Sequence, residues 1–116
     1  MKDNLIQTKS FEFSLSIISL YKILLNEREY IISKQILRSA TSIGANIEEA
    51  IGGQSKRDFL AKISISLKEA RETRYWLKLL HKSEITEIDV TSHQKEILEI
   101  VNILSSIVKT TRTRLE

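Results

Sequence analysis

Five residues, Lys68, Arg71, Tyr75, Lys78 and Lys82, recur at steps of three and four, so a helix would carry all five on one face. Cations in such a row neutralise phosphates, and an aromatic among them can stack a base. The competing reading is a solvated face with no ligand. Lys109, Arg112 and Arg114 add positive charge near the C-terminus, where it also complements a helix dipole. A second group is polar: Asn46 lies at the edge of an apolar stripe beside Ser39 and Ser42, and Glu49 lies further toward the same polar side. Polar groups at such a boundary need partners, and Arg71, Arg74 and Tyr75 are the candidates. This predicts an interhelical network that fixes register or subunit orientation, with a ligand or nucleic-acid site as the alternative.

Catalytic and metal-binding patterns are missing. His81 and His93 belong to no Glu-x-x-His or His-x-x-x-His arrangement, which predicts surface or helix-end histidines. Glu48 and Glu49 adjoin and Glu69 and Glu72 share a face, but paired acids on helices are ordinarily solvated or engaged with Lys and Arg. Gly52-Gly53 before Ser55-Lys56 has neither the strand nor the glycine spacing of a phosphate-binding loop, and reads as a helix end followed by a cap. No nucleophile with an adjacent base is legible. The expectation is a protein that is not an enzyme, with no cofactor, no metal and no small-molecule substrate.

The elements that must position these residues are helices. The chain has 116 residues, no Pro, no Cys and three Gly, so it forms one domain with little to interrupt long helices and no disulfide framework. Apolar steps of three and four predict a first helix over about 8–27, with Phe13, Ile17, Leu20, Tyr21 and Leu24 inward, and a second over about 30–51. Gly52-Gly53 ends the second helix as a flexible cap, and Ser55 with Asp58 opens a third over about 55–82. Thr86 with Asp89 opens a fourth over about 87–113, striped by Val90, Ile97, Val101, Leu104 and Val108. Short connections force antiparallel neighbours, so the predicted fold is all-α, an up-and-down antiparallel four-helix bundle.

The third helix has more apolar surface than one bundle requires. Ile65, Trp76 and Leu79, interleaved with Glu69 and Glu72, form a strip nearly opposite its core stripe. Apolar strips rimmed by charge mark partner contacts, which predicts a subunit interface; packing against both neighbours of the same bundle is the alternative. Ile100, Ile103 and Ile107 flank the last helix in the same way.

One segment carries a family resemblance. Ser42-Ile43-Gly44-Ala45-Asn46-Ile47-Glu48-Glu49-Ala50, Ser55-Lys56-Arg57-Asp58-Phe59, Ser66-Leu67-Lys68-Glu69-Ala70-Arg71-Glu72-Thr73 and Tyr75-Trp76-Leu77 closely resemble the bacterial four-helix-bundle proteins of the 23S rRNA intervening-sequence family. Many members have Ala-Glu-Gly after Asn-Ile, whereas Glu48-Glu49-Ala50 stands here; Asn46 and Glu49 still match. The resemblance implies a homopentamer. It also implies a distant likeness to the accessory protein of diversity-generating retroelements, a pentameric barrel that binds nucleic acid and a reverse transcriptase. It does not supply a biochemical role.

The combined expectation is an oligomeric, pentameric helical bundle that contacts RNA or DNA through a basic surface. A protein-interaction scaffold without a nucleic-acid role is the alternative. The formal net charge of +3 permits nucleic-acid contact without requiring it. No apolar run approaches a membrane span and the N-terminus lacks a secretory signal pattern, which predicts a cytoplasmic protein without membrane contact.

Overall fold

A computed structural model describes residues 2–115, with side chains from Leu5 to Leu115. Four helices follow one another: α1 (Lys2–Asn26), α2 (Ile32–Ile51), α3 (Lys56–Ser83) and α4 (Thr91–Leu115). Each packs on two neighbours, in the ring α1–α2–α3–α4–α1, so α1 and α3 stand diagonally apart. Contacts across each seam run antiparallel: Gln7 meets Glu48 and Ser14 meets Ala40 between α1 and α2, while Ile43 meets Ser66 and Ser39 meets Thr73 between α2 and α3. The result is an all-α four-helix bundle, a rod of 48 × 22 × 21 Å.

The core follows the apolar periodicity. Phe13, Ile17, Leu20 and Leu24 of α1 are buried with Ile36, Ala40, Ile43 and Ile47 of α2, while Tyr21 stays half-buried at the margin. Ile6 is also buried, because α1 begins at Lys2 and not near residue 8, adding apolar turns that the polar opening sequence obscured. In α4 the expected flank is core: Ile100 and Ile107 are buried and Ile103 packs against the cluster. These three do not form an external strip, since α4 covers both α1 and α3 and needs a broad apolar face.

Small residues set the seams. Ser66 Oγ donates to Ile43 O at 2.9 Å, and Thr73 Oγ1 lies 2.7 Å from Ser39 Oγ and 2.9 Å from Glu69 O, so buried hydroxyls are bonded across and along the α2–α3 seam. At the α1–α2 seam, Gly44 lies so near Ser10 that a Cβ on it would sit 3.5 Å from Ser10 Oγ.

The helix ends differ more from expectation. Ser55 caps α3 by accepting the Asp58 amide at 3.1 Å. Gly52 ends α2 with φ −81°, and neither it nor Gly53 uses the left-handed region. What Gly53 provides is clearance, since a Cβ there would lie 3.0 Å from Ala50 O. The left-handed positions are Arg28 after α1 and Glu84 after α3, at φ 63° and 56°. Thr86 and Asp89 do not open α4 at about residue 87. Thr86 Oγ1 accepts the Ile88 amide and donates to Glu27, whereas Asp89 Oδ1 accepts the Thr91 amide at 3.0 Å and the Thr91 hydroxyl at 2.8 Å. Local side-chain bonds hold an extended connection while Val90 is buried ahead of the helix.

Candidate nucleic-acid interface

Helix α3 is divided lengthwise by charge. Toward α2, Arg38 Nη1 lies 3.5 Å from Glu69 Oε2, and its Nη2 is hydrogen-bonded to Glu72 Oε2. Burial, followed by the neighbouring Glu72, pushes the Glu69 carboxyl above its usual range, and Arg38 only partly opposes this. Lower on the same seam, Lys62 Nζ is 3.7 Å from Glu49. Asn46 donates to Ser42 O at 2.8 Å within its own helix. The structure therefore does not bring Asn46 and Glu49 to Arg71, Arg74 and Tyr75. Glu49 pairs instead with Lys62, and the other ion pairs of the α2–α3 seam among the described residues centre on Arg38, a residue that sequence reasoning passed over because it lies a full helix away from Glu69 and Glu72 in the chain.

The apolar strip of α3 is split. Ile65 is 41 % exposed, Leu79 is half-buried, and Trp76 packs against the core with its indole N–H buried and unbonded among the described residues. Trp76 does not face away from the bundle, since it is partly buried against the core. Tyr75 beside it is 57 % exposed, and the two rings meet edge to face with centroids 5.1 Å apart and planes at 72°.

Toward α4 the charge is positive. A groove of about 390 Å³ runs between α3 and α4, with Arg71 on one wall and Lys109 and Arg112 on the other. Leu67 and Val108 form its floor, and the hydroxyls of Ser64, Ser105 and Thr113 line it. Among the described residues no carboxylate lines it. Lys68, Lys78 and Lys82 are exposed along α3, and neither they nor Arg71, Lys109 and Arg112 form an ion pair among the described residues. Arg71 thus has a different setting from the rest of the predicted stripe. Its cationic neighbours come from the C-terminal part of α4, which the sequence shows only as charge near a helix end. The available signal was register: folding α3 back onto α4 about their connection sets Ser64 near Arg112 and Arg71 near Ser105.

The remaining candidates are dispersed. His81 is exposed, and His93 is half-buried in the first turn of α4, a surface and a helix-end position as expected. Burial lowers the His93 pKa, opposed by Glu96, a hydrogen bond with the Ser16 backbone and Asp89. Among the described residues no group of three or more His, Asp or Glu lies together in a way that could hold a metal ion. No described helix is long and apolar enough to cross a membrane.

Comparison with known proteins places this geometry. Residues 2–106 match the family described as 23S rRNA-intervening sequence protein. A solved structure similar to this one is the crystal structure of a protein with unknown function from the S23 ribosomal protein family of Bacteroides thetaiotaomicron, with 53 % identity and a TM-score of 0.88. The likeness covers 94 % of this chain and 99 % of that one. Among curated proteins, none matches the chain. Neither the family description nor the neighbour's names a reaction.

Proposed function

The chain belongs to the 23S rRNA-intervening sequence protein family, and from that premise we propose a non-enzymatic, ring-forming helical bundle, a homopentamer of the cytoplasm, that contacts RNA or DNA through the basic side of α3. The observation that carries the reading is the separation of charge on that helix. Glu69 and Glu72 are taken up by Arg38, whereas Lys68, Arg71, Lys78 and Lys82 point to solvent without an ion pair among the described residues. Cations outside close ion pairs are available to release counterions from a polyphosphate.

Apolar surface supports self-assembly. Leu5, Phe11 and Leu15 are exposed on α1, and Ile65 on α3, the diagonal helix. Different apolar side chains exposed on diagonally opposite helices suit a head-to-tail contact, which closes into a ring where the rotation between subunits permits. Light scattering at micromolar concentration tests this part, and a monomer refutes it.

Binding is tested by fluorescence anisotropy with a structured RNA across a salt series. The reading expects binding that weakens steeply with salt and is lost on Lys68→Glu with Arg71→Glu. No binding at low salt, or indifference to that double substitution, refutes it. A second reading, a protein-interaction scaffold, rests on the apolar groove of about 240 Å³ between α1 and α2, where Phe11 is 66 % exposed. A single stoichiometric protein recovered from the native host despite nuclease treatment would favour that reading.

A further inference from the structure

We propose that the groove between α3 and α4 holds the phosphodiester backbone of a single nucleic-acid strand, with one base stacked on Tyr75. The inference rests on the nucleic-acid reading above and narrows it to a site and a substrate class. Three cations from two helices, Arg71, Lys109 and Arg112, converge on one groove that no carboxylate among the described residues lines. The hydroxyls of Ser64 and Ser105 between them can donate to phosphate oxygens, whereas that of Thr113 already donates to Lys109 O at 3.0 Å. Lys109 and Arg112 lie beyond the residues matched to the family, so family membership does not account for this second wall.

The aromatic neighbour decides the form of nucleic acid. Tyr75 stands four residues on from Arg71, about 6 Å along the axis, and Lys78 continues the row about 10 Å from Arg71. Tyr75 is 57 % exposed, and its edge-to-face contact with Trp76 can cover at most one face of its ring. An open aromatic face serves an unstacked base, which a duplex does not offer. Adjacent helix axes lie about 8–10 Å apart, so the cleft between two of them admits one backbone, whereas a duplex reaches only its rims.

The test compares a short single-stranded RNA of mixed sequence with the perfect duplex of that sequence, by anisotropy on the full-length protein. Tyr75→Ala is expected to weaken single-strand binding roughly 5- to 150-fold and leave duplex binding unchanged, with Tyr75→Phe close to wild type. Lys109→Ala and Arg112→Ala should each reduce the single-strand salt slope by about 0.7. Trp76 is the sole tryptophan, so its emission on selective excitation should change when the single strand binds and not when the duplex does. Thermal melting controls for folding, and Tyr75 is exposed enough for its variants to melt as wild type does. Equal binding of both forms with Tyr75→Ala neutral overturns the single-strand assignment, and neutral Lys109→Ala and Arg112→Ala overturn the groove; both results leave basic-surface binding standing. Failure of wild type to bind either form at low salt removes the broader reading as well.

Discussion

Glu29 gives the sharpest test of how this bundle is held together. Its side chain is only 9 % exposed, and it closes the N-terminus of α2: Oε1 accepts the amides of Ile31 at 3.2 Å and Ile32 at 2.9 Å, while Oε2 accepts that of Ser33 at 2.6 Å. These are amides that a helix start leaves without intrahelical partners. Truncation by Glu29→Ala removes a charge-assisted cap on three donors, for which about 2–3 kcal/mol is reasonable once water repairs part of the loss. For a chain of this length that lowers Tm by roughly 8–20 °C. Glu29→Gln keeps one acceptor oxygen and should lose about 1 kcal/mol. The pH dependence is independent of that magnitude. Burial pushes the Glu29 carboxyl up, and hydrogen bonds from Ile32, Ser33 and Ile31 more than offset this, leaving it below the usual range. A carboxyl depressed in the folded state contributes stability above its unfolded pKa, about 4.3, and loses it as pH falls through the folded value. The gap between wild type and Glu29→Gln should therefore be full at neutral pH and close in acid. Urea unfolding followed by circular dichroism, at one fixed protein concentration because assembly would add to stability, measures both. A Tm change under about 2 °C for Glu29→Ala, or a gap that persists unchanged in strong acid, refutes the capping argument.

Three further outcomes follow from the backbone and the seams. Glu84→Gly should stabilise the protein by about 0.5–1 kcal/mol in chemical denaturation, because Glu84 occupies the left-handed region at φ 56°. Gly44→Ala should raise stability by up to about 1 kcal/mol, since its Cβ would make an ordinary 3.5 Å contact with Ser10 Oγ, while Gly44→Leu should reduce Tm by prising α1 from α2. Thr73→Val removes the hydroxyl bonded to Ser39 and Glu69 O, and calorimetry should find a loss of about 1 kcal/mol.

The readable parts of the fold share one property: they depend on residues close in sequence. The inward positions Ile36, Ala40, Ile43 and Ile47 follow from helical spacing, and the Ser55 cap from a hydroxyl three residues before an amide it can accept. The misread parts depend on competition. Thr86 and Asp89 matched a capping pattern, yet each found a nearer amide, and α4 began only after Val90 was buried. Gly52-Gly53 ends α2 as expected, but the left-handed region is taken by Arg28 and Glu84 and not by the glycines. Glu29 was missed because its cap bonds the amides two to four residues ahead from a loop whose course depends on where α1 ends.

The candidate interface divides along the same line. The row Lys68, Arg71, Tyr75, Lys78 and Lys82 was legible because a helix repeats every 3.6 residues. Its meaning was not, because charge is felt across seams. Only the packing of α2 on α3 gave Glu69 and Glu72 to Arg38, only that of α3 on α4 set Arg71 opposite Lys109 and Arg112, and only the assembled bundle placed Trp76 against the core. By itself the sequence determined four amphipathic helices and their antiparallel order, since periodicity and short connections are local constraints. The tertiary structure alone decided which charges are neutralised and which stay open, because pairing of side chains far apart in sequence is set by interhelical register, to which single-helix periodicity is blind.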